Sequence, residues 1–312
     1  MKTKTLGRTN LKVSRVGLGT AEIGFAYGLG HKIVPSDVEA DRLLKSAVEM
    51  GINFFDTANI HQLADERIAR SGIAKIPGVI IATKCAHFLE KGEDPEIGEL
   101  EKRIRGEVET SLRNLKLDTL PILQLHGGTK EQIERGAVIE ILDKIKKEGK
   151  ARYVGISTRG EEASVAAIKS GFFDVIHVAY SILDQRMAKN VLPAAEHNNI
   201  GVINRSVLLK GVLSGASKIL PPELAPLKEN SDKARDIAEK LGISLPSLAL
   251  RFVLSEEAVS TSLIGTNQIG HLKEVMDAIA AEPLSDEVIV ELNKLAINDP
   301  MQIDPAKWPQ IS

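Results

Sequence analysis

Three side chains with complementary acid–base character stand at or beside the ends of short apolar segments. Asp56 lies in INFFDT (52–57), Lys84 ends VIIATK (79–84) and His126 ends TLPILQLH (119–126). A carboxylate keeps a neighbouring ammonium charged, and that ammonium lowers the pKa of an acid placed beside it. Taken singly, each residue has a plainer explanation. An Asp after a strand often caps a helix or forms a turn. A strand-end Lys is usually solvated or ion-paired, and a His is more often a hydrogen-bonded structural residue. The chemistry needs all three ends in one place, so the question becomes which fold gathers them.

The elements that must position them recur along the chain. Five further runs of the same kind are SRVGLG (14–19), ARYVGIS (151–157), FDVIHVAY (173–180), IGVINRS (200–206) and STSLIG (260–265). All eight are apolar on both faces, as strands covered by helices outside and by neighbours inside should be. Amphipathic helices are expected between them at 38–51, 98–117 and 131–150, with shorter ones at 161–170, 188–198, 231–241 and 271–281. Eight strand–helix alternations in roughly 250 residues fit an α/β chain folded as a (β/α)8 TIM barrel. An open doubly wound sheet is the alternative, but its GxGxxG turn is missing: GLGTAEIG has other spacing and leads into a loop. We read residues 1–312 as one domain with an N-terminal β-hairpin (3–13), an inserted segment (207–230) and a C-terminal tail (286–312). A TIM barrel carries its chemistry at the C-terminal ends of its strands. Those ends hold Asp56, Lys84, His126, Ser157, Thr158, His177, Tyr180, Asn204, Arg205 and Ser206.

Composition narrows the functional classes. Among 312 residues, 43% are hydrophobic and 26% charged, with net charge −2. That balance suits a soluble protein and argues against nucleic acid or an anionic membrane as partner. Cys85 is the single cysteine. It forms no intrachain disulfide and no multi-thiolate zinc site, and it fits a reducing, cytoplasmic setting. Beside Lys84 it is either a reactive thiolate or, more commonly, a small buried residue. The N-terminus shows no signal-like apolar core, and no run of about 18 apolar residues predicts a membrane span.

Larger segments carry a resemblance. GRTNLKVSRVGLGT, GINFFDTA with DERIARSG after it, IIATK, LQLH, RYVGIS, AYSILD, LKGVLSG and IGTNQIGHLKE together resemble the aldo-keto reductase family over nearly the whole chain. The resemblance implies an eight-stranded barrel that binds NAD(P)H without a Rossmann domain. It also implies hydride transfer between nicotinamide and the carbonyl/alcohol pair of a small molecule. The family tetrad is Asp, Tyr, Lys and His, which assigns catalytic roles to Asp56, Lys84 and His126. The fourth position departs. The family reads roughly DTAxxYGxSE where this chain reads DTANIHQLADE, so His61 stands at the tyrosine and Gln62 at the following glycine. A charged Lys84 beside His61 favours the neutral imidazole, which donates a hydrogen bond but is a weak acid. Tyr27, in the loop after the first strand, is the one tyrosine placed to substitute.

The resemblance also assigns cofactor contacts. Gly19, Thr20 and Asp56 lie on the nicotinamide side. Ser157 and Thr158 hold the amide, with His177 where Gln is usual and Tyr180 as the stacking aromatic. Ser206, Leu208, Lys210 and Gly211 run under the pyrophosphate. Gly265, Thr266, Gln268, His271 and Glu274 form the adenosine-side loop, with Val275 in place of an Asn. The cofactor is NADP or NAD: the family favours NADPH, while the scarcity of basic residues around 265–271 disfavours a 2′-phosphate. Three readings follow. The first is an oxidoreductase with His61 as donor. The second is a nucleotide-binding barrel with little turnover, serving as sensor or partner subunit. The third is a metal-dependent barrel using His61, His87, His126 and His177. The assignments above explain most of these histidines without a metal, so none is expected.

Overall fold

The computed structural model describes residues 2–30 and 33–311. Residues 31 and 32 of the expected pocket loop 21–34, and the first and last residues of the expected domain, lie outside the described residues. Eight parallel strands close a barrel: β3 (Val16–Gly19), β4 (Phe54–Asp56), β5 (Ile80–Cys85), β6 (Leu120–Leu125), β7 (Ala151–Ser157), β8 (Val175–Ala179), β9 (Gly201–Arg205) and β10 (Thr261–Gly265). β10 pairs with β3 and with β9, which completes the ring. Each expected strand forms: 151–157 as expected, 79–84 shifted by one residue to Ile80–Cys85, and the others shortened by a residue or two at one or both ends. The preceding hairpin, β1 (Thr3–Thr5) and β2 (Lys12–Ser14), is antiparallel.

Side chains alternate across a strand, so every second residue points into the barrel. Phe54, Ile80, Ala82, Ile122, Val175, Ile203 and Leu263 fill the interior as one buried cluster. The hairpin joins this cluster through Leu6 and Val13, and the Arg8 N–H donates to Asn199 O at 2.7 Å. Asn199 lies just before β9, so the hairpin plugs the N-terminal end of the barrel. The opposite end is left for chemistry. Two residues beyond the apolar layer, the same parity brings inward Asp56, Lys84, Gln124, His177 and Arg205.

The helices depart from expectation at identifiable places. The single helix expected over 131–150 is two, Lys130–Glu134 and Ala137–Lys147, parted at Gly136 with φ +80°. The helix expected from 231 begins earlier and spans Ala225–Lys240, so it takes in the end of the inserted segment. Five helices went unexpected: His87–Glu90, Asp286–Asn293 and Pro300–Ile303, and two longer ones that help to wrap the barrel. Ala64–Ser71 reads ADERIARS, whose apolar stripe is no more than Ala64 and Ile68. Leu245–Leu254 reads LPSLALRFVL, apolar except along Ser247 and Arg251, with Ser244 capping it through the Ser247 N–H. Among the described residues, no helix is long and apolar enough to cross a membrane.

Candidate active site

The deepest polar feature at the C-terminal end of the barrel is an ion pair. Lys84 Nζ donates to Asp56 Oδ2 and, at 2.9 Å, to Thr57 O. Gln124 Nε2 donates to the other carboxylate oxygen at 3.1 Å. Both charged residues are almost sealed from solvent, Asp56 at 4% and Lys84 at 3% exposure. Burial pushes the Asp56 carboxyl up, while the Lys84 ammonium and the Gln124 amide pull it back. Two donors on the carboxylate favour the charged pair, and removing either partner of such a pair costs about 3–5 kcal/mol.

His61 sits above this pair in the loop after β4. Its N–H donates to Ala58 O at 2.8 Å and its carbonyl accepts from the Ala64 N–H at 3.0 Å, which fixes the turn. Gln62, at the family's glycine position, takes a left-handed φ of +49°. Gly24 makes the opposing space, because a Cβ there would collide with the His61 carbonyl oxygen. The His61 ring lies 6.5 Å from the His126 ring and nearly perpendicular to it, and 5.8 Å from Phe25. Burial, then the charges of Lys84 and His87, depress the His61 pKa to about 3. Burial and Lys84 also hold His126 and His177 well below the ordinary imidazole value. All three rings are therefore neutral near pH 7 and act as hydrogen-bond donors or acceptors rather than acids.

The surrounding positions are mixed in what they offer. Thr20 is spent on Asp56, whose carbonyl accepts both its N–H and its hydroxyl at 3.0 Å. Ser157 ends β7 beside His177. Thr158 shares a 2.7 Å hydrogen bond with Ser164 and donates its N–H to His177 O. The strap after β9 is sharply curved: Ser206, Leu209, Lys210 and Gly211 all have positive φ, while Leu208 between them does not. Gly265 ends β10 against the Glu22 carboxylate. Thr266 Oγ1 lies 3.0 Å from His271 Nδ1 and accepts from the Gln268 N–H, while His271 and Glu274 are exposed. Tyr180 follows β8, and its ring stacks on Phe252 of the helix Leu245–Leu254 at 5.6 Å. Tyr27 is one ring removed from His61, with Phe25 between them. Cys85 is fully buried and burial pushes its thiol up, which leaves the inert reading.

Two mouth residues were undervalued from sequence. Gln124 holds Asp56, and Arg205 leans across the opening to Thr158 O at 3.2 Å. Their signal was parity, since each stands two residues beyond an inward apolar side chain, Ile122 and Ile203.

Comparison with known proteins agrees with this geometry. The aldo/keto reductase family matches residues 15–297. The chain belongs to that family. It is 29% identical to the uncharacterized oxidoreductase YqkF of Bacillus subtilis, over 94% of this chain and 95% of that protein. It is 30% identical to the L-galactose dehydrogenase of Arabidopsis thaliana, covering 88% and 87%. It is 27% identical to the NADH-specific methylglyoxal reductase of Escherichia coli, covering 89% and 94%. Among solved structures, an aldo-keto reductase of Bacillus halodurans in its holo form superposes with TM-score 0.78 at 27% identity, covering 96% and 97%. Like its family, this is an NAD(P)H-type oxidoreductase of small molecules on a TIM barrel.

Proposed function

We propose that this protein interconverts a small carbonyl compound and its alcohol, with a neutral His61 in place of the family's tyrosine. The observation that carries the reading is the buried Lys84–Asp56 pair set beneath the His61 and His126 rings at one end of the barrel. The residues present fit a nicotinamide. Among the described residues, the buried atoms without a protein partner include both ring nitrogens of His177 and Gln124 Oε1, which stand on the inward parity of their strands at the mouth. Such unpartnered buried groups call for a polar ligand, and a planar carboxamide held by Ser157 and His177 supplies both a donor and acceptors.

When bound, the reduced nicotinamide supplies the hydride. The rest falls to the chain's own side chains. His126 and His61 donate ring N–H groups to the carbonyl oxygen, so negative charge growing there meets fixed donors. Lys84, anchored by Asp56, adds a positive potential beneath them. The proton that ends on the alcohol oxygen comes from water at the mouth, where His61 is only partly buried. The strap 206–211 and Arg205 offer their polar groups to the pyrophosphate.

We favour NADH over NADPH. Thr266, Gln268 and His271 offer no guanidinium to a 2′-phosphate. The lone, buried Cys85 suits a reducing cytoplasm.

The test is cofactor oxidation with a reactive aromatic aldehyde in wild type and Lys84→Met. NADH should be consumed faster than NADPH, and the variant should lose turnover while keeping its fold. Tight NADH binding with no consumption would support instead the nucleotide-sensing reading, which the weak acidity of His61 also favours.

A further inference from the structure

We propose that His87, Glu90 and His126 form a binding site for a divalent transition metal of the zinc type at the rim of the barrel mouth. This departs from the sequence expectation that no metal is held. Among the described residues, these three are the single group of His, Cys, Asp and Glu side chains whose ligand atoms all lie within 4.8 Å of one another. His87 Nε2 is 3.0 Å from Glu90 Oε2, and His126 Nε2 is 3.9 Å from the same oxygen. The two imidazoles lie 4.7 Å apart between centroids, tilted 48° to each other. A tetrahedral zinc with bonds near 2.0–2.1 Å sets its ligand atoms about 3.3 Å apart. Small side-chain rotations therefore bring all three onto one ion. Two imidazoles and a carboxylate are a borderline nitrogen–oxygen set, suited to zinc and its neighbours rather than to calcium or magnesium.

The backbone around the trio brings it together. His87 and Glu90 lie one turn apart on the short helix His87–Glu90. That helix is launched by Ala86 in a left-handed conformation, φ +62°, whose N–H is held by the Glu107 carboxylate. A non-glycine residue in that region costs of order 1 kcal/mol and clusters at functional sites. Gly127, directly after His126, is the second device. A Cβ there would lie 2.6 Å from Glu90 Cβ, so only glycine lets the helix approach the end of β6 this closely. Arg159 takes the other Glu90 oxygen, Oε1, and turns Oε2 toward the imidazoles, as a carboxylate ligand is oriented by an outer partner. A cleft lined by Glu90, Gly127, Gly128 and Arg159 opens beside the trio and gives the ion a path in. Three protein ligands leave a fourth position open.

The site shares His126 with the carbonyl-reductase reading, and a bound ion would take that ring away from the carbonyl oxygen; because binding is measured directly, failure of the site and failure of that reading are seen separately. Metal-free wild-type protein should be titrated with zinc by calorimetry and with cobalt(II) by visible absorption. The expected result is one ion per chain and the ligand-field bands of a tetrahedral nitrogen–oxygen site. Glu90→Gln and His87→Ala should each weaken zinc binding about 100-fold or more, given that loss of an outer-sphere partner alone costs 10–100-fold. Gly127→Ala should weaken it about 10-fold by displacing Glu90. His197→Ala, an exposed histidine elsewhere, should leave it unchanged. Near-ultraviolet circular dichroism checks each fold, and His87 at the rim is the variant least able to disturb it. Absence of a one-to-one site, or equal binding in all variants, would overturn the proposal and leave the trio a hydrogen-bonded network.

Discussion

The two ends of this barrel differ by a single step along each strand. Toward the hairpin, Phe54, Ile80, Ala82, Ile122, Val175 and Ile203 make a dry apolar plug. Two residues later the same strands carry Asp56, Lys84, Gln124, His177 and Arg205, and several of their polar atoms lack protein partners. The floor satisfies itself and contributes stability. The mouth holds charge and unpartnered polarity at a cost in stability, and that polarity is available to a ligand. Substitutions at the two ends should therefore separate into effects on folding and effects on turnover.

The largest expected effect is at the mouth. Lys84→Met should lower turnover by about 10³-fold or more, equivalent to about 4 kcal/mol, while the barrel stays folded because Asp56 can take up a proton. Single-turnover kinetics beside a thermal melt checks both halves. At the floor, Phe54→Ala should cost about 3–5 kcal/mol of stability, with turnover per folded molecule retained; denaturant unfolding and active-site titration read the two separately. Loss of turnover in the folded Phe54 variant would blur the division.

A smaller effect concerns pH. Asp65 is buried, accepts from Thr57 Oγ1 at 2.6 Å, and burial raises its pKa from 3.8 to about 6. A raised folded-state pKa contributes stability that is fully present below about 3.8 and lost as pH rises through about 6. Asp65→Asn removes that loss. The stability difference between variant and wild type should thus grow in the variant's favour by about 2 kcal/mol between pH 4 and 7. The depressed imidazoles His61, His126 and His177 work in the opposite sense, giving stability above about pH 6.5 that falls away in acid. They are common to both proteins and cancel in the difference. Denaturant melts at several pH values test it, and parallel curves would remove Asp65 as the cause.

The barrel was legible because its strands are apolar on both faces and evenly spaced. Asp56, Lys84 and His126 were legible because they end three successive strands. What escaped had physical reasons. ADERIARS offers a stripe of only Ala64 and Ile68, and LPSLALRFVL is apolar at all but Ser247 and Arg251, so neither helix announced itself. Strand parity pointed to Gln124 and Arg205 and was not followed through. The meeting of His87 and Glu90 with His126 depends on a close approach across Gly127 that no local pattern encodes.

The central claim is that His61 serves as a neutral hydrogen-bond donor, and one measurement tests it most directly. NADH oxidation with a reactive aromatic aldehyde should be followed for wild type and His61→Tyr from pH 5 to 9. With its pKa near 3, His61 stays neutral throughout, so wild type should turn over without an inflection from this group, while the tyrosine variant should show a different profile. Turnover in the tyrosine variant alone, with wild type inert at every pH, would contradict the account.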